Sequence, residues 1–188
     1  MGSFYVNITL RGPVQHSVVP LLKNRSAYVS PTEKNCTVVF DEQCDSQDQQ
    51  VISHLSSELS KHLDCPVFAI LNHDDDILWY QLFAGGTLID EYDSTPGYFD
   101  ETAEPSGPSG GNANALCHAF QSENVDEVER ILQTSSFAEE GYVFAVERHE
   151  ELVTVLGLPT CTIGYGFRDI SSGAIPEGFE QDQFILTK

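Results

Sequence analysis

Pro66-Val67-Phe68-Ala69-Ile70-Leu71-Asn72 is the segment that most restricts what this chain can become. Successive side chains of a strand point to opposite faces, so a run of consecutive apolar residues needs cover on both sides. It is expected to be a central strand. His73-Asp74-Asp75 then reads as a turn. A strand from Asp76 to Ala84 leads into Gly85-Gly86, a two-residue hairpin turn in which both positions can take positive φ, and another strand runs from Thr87 to Asp93.

Upstream, Phe4, Val6, Ile8 and Leu10 alternate with Tyr5, Asn7 and Thr9, which is the period of a strand over residues 4–10. Gly12-Pro13 ends it, and Val14, Val18 and Leu22 mark a short helix that Pro20 kinks. Residues 27–30 and 36–41 form a strand pair around Pro31-Thr32-Glu33-Lys34-Asn35. Ser46 with Gln49 reads as a capping box opening a helix. Val51, Ile52, Leu55, Leu59 and Leu63 line one face of that helix, and Pro66 ends it. The fold class is α+β: a ferredoxin-like β-α-β-β-α-β sheet extended by a β-meander, with two helices on one face.

Residues 94–112 are rich in Gly, Pro and Ser and read as a loop or linker. They divide an α+β domain (1–95) from a mainly helical C-terminal subdomain (113–188). That part carries helices over 113–120, 125–132 with Asn124 as N-cap, and 145–156, then two short strands near 162–170 and 183–186.

Charge is distributed unevenly. The chain has 9 Lys and Arg against 29 Asp and Glu, a formal net charge of −20. Between Lys61 and Arg130 lie 68 residues without a base and with fourteen acids. Such a surface repels phosphate backbones and anionic lipid, so neither nucleic acid nor membrane is an expected partner. A basic protein or a cation is attracted to it. No window is apolar enough for a membrane span, and the N-terminus lacks signal-peptide character, so a cytoplasmic location is expected. Five cysteines, an odd number with no C-x-x-C pair, read as buried thiols.

Two readings of the chemistry compete. In the first, His73, Asp75, Asp76 and Asp93 converge on one rim of the sheet. The hairpin turn pairs Ala84 with Thr87, so Trp79 is expected to face Tyr92, and Leu78 to face Asp93. Carboxylates with an imidazole suit a divalent cation, the one cofactor such a site would take, and this is the site of a metal-dependent hydrolase. In the second, the same aspartates are turn residues, and Asp74, Asp75, Asp90, Glu91, Asp100 and Glu101 form a non-catalytic surface for a basic protein partner. Antitoxin and immunity proteins are analogues in charge and size only. Asp90 and Glu91 lie inside a strand and point to opposite faces, so at least one is expected to face a covered side and to need a basic partner, with Arg130, Arg148 and Arg168 the available ones. Cys117-His118 does not make a nucleophile–base pair, since helical neighbours diverge by about 100°. His149 shares a helix face with Leu152 and Leu156 and reads as a core-edge residue. The 105–111 stretch lacks the lysine of a P-loop.

The strings Val39-Phe40-Asp41-Glu42, Asn72-His73-Asp74-Asp75-Asp76, Asp90-Glu91-Tyr92-Asp93-Ser94-Thr95-Pro96-Gly97-Tyr98-Phe99, and Arg148-His149 with Leu156-Gly157-Leu158-Pro159 resemble those of a family of small acidic bacterial proteins of unknown function. The resemblance spans most of the chain. It implies a soluble bacterial protein and assigns no site.

Overall fold

In the computed structural model all residues are described except Met1, Glu101, Ala103, Glu104, Pro105, Phe137 and Glu140. The strands are β1 (Tyr5–Arg11), β2 (Ala27–Val29), β3 (Cys36–Asp41), β4 (Val67–His73), β5 (Ile77–Ala84), β6 (Thr87–Asp93), β7 (Ser109–Gly110) and β8 (Ile185–Thr187). They form one antiparallel sheet in the order β7-β6-β5-β4-β1-β3-β2-β8. The apolar run at 67–71 is a central strand buried on both faces, as its composition requires. Val67, Ala69 and Leu71 enter one core, while Phe68 and Ile70 enter another.

The first core lies under α1 (Gln15–Val18), the 3₁₀ turn that follows it, and α2 (Gln49–Leu63). Pro20 falls at the start of the 3₁₀ turn, where its missing N–H costs nothing. Ile52, Leu55 and Leu59 of α2 are buried against β4, β5 and β6. Its cap is Asp48, whose carboxylate accepts from Gln50 N and Val51 N, and not the Ser46–Gln49 pair. Ser46 closes a preceding 3₁₀ turn by donating to the Gln43 carbonyl, so it is no longer available to cap. The helix ends at Asp64 in left-handed conformation, φ 47°.

Residues 113–188 cover the opposite face. Helices α3 (Ala113–Phe120), α4 (Val125–Gln133) and α5 (Ala145–Leu156) share a core with Tyr5, Phe68, Ile70, Leu78, Tyr80 and Tyr92 of the sheet. The two parts on either side of 96–112 are therefore separate in sequence and joined in one core. Asn124 occupies the cap position of α4 without a side-chain bond, while Asn112 caps α3 by accepting from Ala115 N. The strand expected near 162–170 is instead a 3₁₀ turn followed by α6 (Phe167–Ser171) against β1, β2 and β3. The cause lies far away in sequence: the Asp45 carboxylate accepts from Phe167 N and Arg168 N and starts the helix. The second expected strand is β8, which pairs with β2 at the sheet edge.

The polar face of β1 is buried too, and its groups find partners. Asn7 donates to the carbonyls of Thr162 and Tyr165. Tyr5 Oη lies 2.7 Å from His149 Nδ1, and Asn72 Nδ2 donates to Tyr5 Oη. His149 is fully enclosed, and burial pushes its imidazole down to about 3. Arg148 is buried as well; it donates to the carbonyls of Ile131 and Thr134 at the end of α4 and stacks on Tyr142 at 4.4 Å.

The Gly-rich segment serves packing. Gly110 (φ 74°) pairs with Tyr92, and a Cβ there would collide with the Glu91 carbonyl. The short β7 expected as loop exists because glycine permits that approach.

Two stability outcomes follow from the buried polar groups. Arg148→Met leaves the α4 carbonyls without donors and is expected to cost roughly 3 kcal/mol in urea unfolding. His149 stays neutral in the folded state, whereas the unfolded chain takes up a proton below the ordinary value of 6.5. Its contribution is therefore complete above about 6.5 and is lost as pH falls toward about 3, at up to about 1.4 kcal/mol per pH unit. The urea midpoint of His149→Asn should decline less steeply than that of the wild type over that window.

Candidate functional site

One register detail decides where the acidic rim lies. A β-bulge between Leu82 and Phe83 shifts the β5–β6 pairing, so that Trp79 faces Asp93 and Tyr80 faces Tyr92. The expected pairing of Leu78 with Asp93 is thereby corrected, although the Ala84–Thr87 closure at Gly85-Gly86 holds. A one-residue slip exchanges the faces of a sheet. Trp79 belongs to the core beneath α2, and Leu78 to the core on the other side. The bulge thus brings Asp93 to the α2 face.

There a cleft of about 640 Å³ opens between the start of α2, the ends of β4, β5 and β6, and the 95–100 segment. His73, Trp79, Asp93, Tyr98, Phe99 and Asp100 are among its lining residues, together with Gln47 and Thr95. Among the described residues no Lys or Arg lines it. His73 Nδ1 lies 2.6 Å from Gln47 Oε1, and Gln47 Nε2 donates to the Asn72 carbonyl. That second bond sets the amide orientation, so Nδ1 carries the hydrogen and Nε2 of neutral His73 is an acceptor. The His73 ring meets Phe4 and Phe99 edge-on at 4.9 and 5.1 Å. Asp93 Oδ1 accepts from Thr95 N. Burial pushes the Asp93 carboxyl above its ordinary value, the Thr95 N–H opposes this, and the Glu91 charge adds to it. The exposed Asp100 is held below its usual value by the Thr102 hydroxyl and N–H.

The four expected metal ligands do not form one set. His73 and Asp93 line the cleft. Asp75 turns toward the N-terminal segment, where Oδ2 accepts from Ser3 N, and Asp76 accepts from the Tyr98 hydroxyl at 2.6 Å. Among the described residues, no group of three or more His, Cys, Asp or Glu side chains is placed to hold a metal ion. Asp74 and Asp75 are used as turn residues are, by backbone N–H groups: Asp74 accepts from Gly2 N, Asp75 from Ser3 N, and both have positive φ.

The expected arginine partners of Asp90 and Glu91 are corrected as well. Asp90 accepts from Tyr80 Oη, Asn112 N and Glu91 N, while Glu91 accepts from Gln81 Nε2. Neutral donors satisfy both, because Arg130 pairs with Glu127 and Glu151, Arg148 with carbonyls, and Arg168 with Asp45. Of the expected interaction surface, Asp74, Glu91 and Asp100 are exposed, Asp75 and Asp90 are half-buried, and Glu101 lies outside the described residues. All five cysteines are buried free thiols, Cys117 included.

Sequence reasoning missed Gln47, Trp79, Tyr98 and Phe99. The signal for the last two was present: large aromatic residues stand inside a segment otherwise built of Gly, Pro and Ser. Phe99 is 75% exposed, against the usual burial of phenylalanine. No helix among the described residues is long and apolar enough to cross a membrane. Compared with protein-family models, with curated proteins and with solved structures, the chain matches none.

The Gln47–His73 contact yields a direct test. Long-range ¹⁵N correlation spectra at a pH where His73 is neutral are expected to show the Nδ1–H tautomer. In Gln47→Ala that population should fall toward the mixture of a free imidazole.

Proposed function

We propose that this chain is a non-catalytic interaction protein and that the cleft between α2 and the 95–100 segment receives basic side chains of a protein partner. The observation that carries this reading is the chemistry of the lining. Two carboxylates and an imidazole acceptor sit beside the rings of Trp79, Tyr98 and Phe99, with no Lys or Arg among the described lining residues. Aromatic faces and carboxylates both attract a cationic head, and a half-buried carboxylate attracts it more strongly than a solvated one. Exposed Phe4, Tyr98 and Phe99 at the mouth, each 42% exposed or more, give a protein partner apolar surface to cover, which a free ion does not need. The base-free stretch from 62 to 129 adds long-range attraction.

A bacterial cytoplasmic setting fits the five free thiols and the resemblance described above. For the sheet core, we read β4-β1-β3-β2 as ferredoxin-like. Its antiparallel order supports this, and the four-residue α1 with its 3₁₀ turn stands where a longer crossover helix is usual.

Trp79 is the single tryptophan and lines the cleft, so its fluorescence reports occupancy. Titration with a twelve-residue Gly/Ser peptide carrying both Lys and Arg is expected to change Trp79 emission, and an acidic counterpart should not. Raising salt to about 0.5 M should weaken binding roughly tenfold. Asp93→Asn, with unfolding checked against the wild type, should weaken it by a similar factor. Equal response to acidic and basic peptides would overturn the reading.

A further inference from the structure

The cleft also discriminates among basic side chains. We infer that its preferred occupant is an arginine within a peptide segment, in preference to a lysine; this rests on the reading of the cleft as a receptor for basic side chains.

Three observations carry it. The acceptors are several and separate. Among the described residues nothing donates to Asp93 Oδ2 or Asp100 Oδ2, because Thr95 and Thr102 use only the Oδ1 atoms. His73 contributes Nε2 as a third acceptor on the same lining, its Nδ1 being held by Gln47. A guanidinium presents five N–H donors in one plane and can meet spread acceptors together, whereas an ammonium is a compact point charge with three. The walls are flat rings. Tyr98 and Phe99 meet edge-on at 5.1 Å with an interplanar angle of 88°, so at least one ring can offer its face to a planar cation. The floor is dry. Trp79 is 3% exposed and burial dominates the Asp93 environment, which favours the more weakly hydrated guanidinium.

Trp79 further points to a peptide over a free cation. Its indole N–H has no acceptor among the described residues, and although the side chain is only 3% exposed and lines the cleft, that nitrogen is not sealed from solvent. A donor that the cleft leaves open can be met by a main-chain carbonyl beside the arginine.

The test uses the full chain and Trp79 emission with three Gly/Ser dodecapeptides identical except at two positions, which hold arginine, lysine or citrulline. Arginine is expected to bind at least about tenfold tighter than lysine. Citrulline, which keeps the planar shape without the charge, should show no saturable binding. In Asp93→Asn the arginine peptide should fall to the level of the lysine peptide. Free N-acetyl-arginine methylamide, which keeps one carbonyl on each side, should bind more tightly than agmatine, which has none. Equal affinity for arginine and lysine overturns the selectivity and leaves the receptor reading standing. Absence of binding by both basic peptides overturns the two together. Agmatine matching the amide removes the role given to the Trp79 N–H.

Discussion

A sheet whose central strands are apolar on both faces cannot stand with one face in water, and that constraint organises the molecule. The run at 67–71 places side chains in two cores at once, and β1 and β5 flanking it do the same. Each fully buried Leu, Ile or Phe adds about 1.5–3 kcal/mol relative to exposure, so the second face needs cover as much as the first. Helices α3, α4 and α5 supply that cover, and their own apolar faces have no other place to go. The C-terminal half is for this reason a layer of the structure.

Covering both faces obliges the buried polar groups to find partners inside. Asn7 takes two carbonyls of the 162–165 segment, Arg148 takes the carbonyl end of α4, and Asp45 takes the N–H groups that open α6. Each bond joins segments more than ten residues apart, and unmade each would leave a desolvated group at about 1–3 kcal/mol. These pairings hold the C-terminal layer in register on the sheet. At the 73–76 turn, aspartates accept backbone N–H groups, and the cleft beside it keeps acceptor atoms that no Lys or Arg among the described residues pairs.

Much of this was legible in the chain. The alternation at 4–10, the apolar run, the Gly85-Gly86 turn and the face of α2 follow from periodicity and from the φ that glycine allows. The helix cap was read two residues early, since Ser46 and Asp48 are both good caps and only the 3₁₀ turn at 44–46 selects between them. The 162–170 segment alternates like a strand, and its helix depends on a carboxylate 122 residues away. The candidate site was half legible. His73 and Asp93 do share the rim, but Asp75 and Asp76 are drawn off by Ser3 and Tyr98.

The sequence by itself determined strands β1 to β6, the main helices, the charge imbalance and the reading of the five cysteines as buried thiols. These rest on local period, turn stereochemistry and composition. Only the tertiary structure decided which face of the sheet carries Asp93, because a single bulged residue in β6 exchanges the faces and no local pattern announces it. It alone also seated aromatic rings from a Gly- and Pro-rich loop beside that carboxylate. A cleft is made where distant segments meet, and the energies that bring them together are contacts the linear chain does not contain.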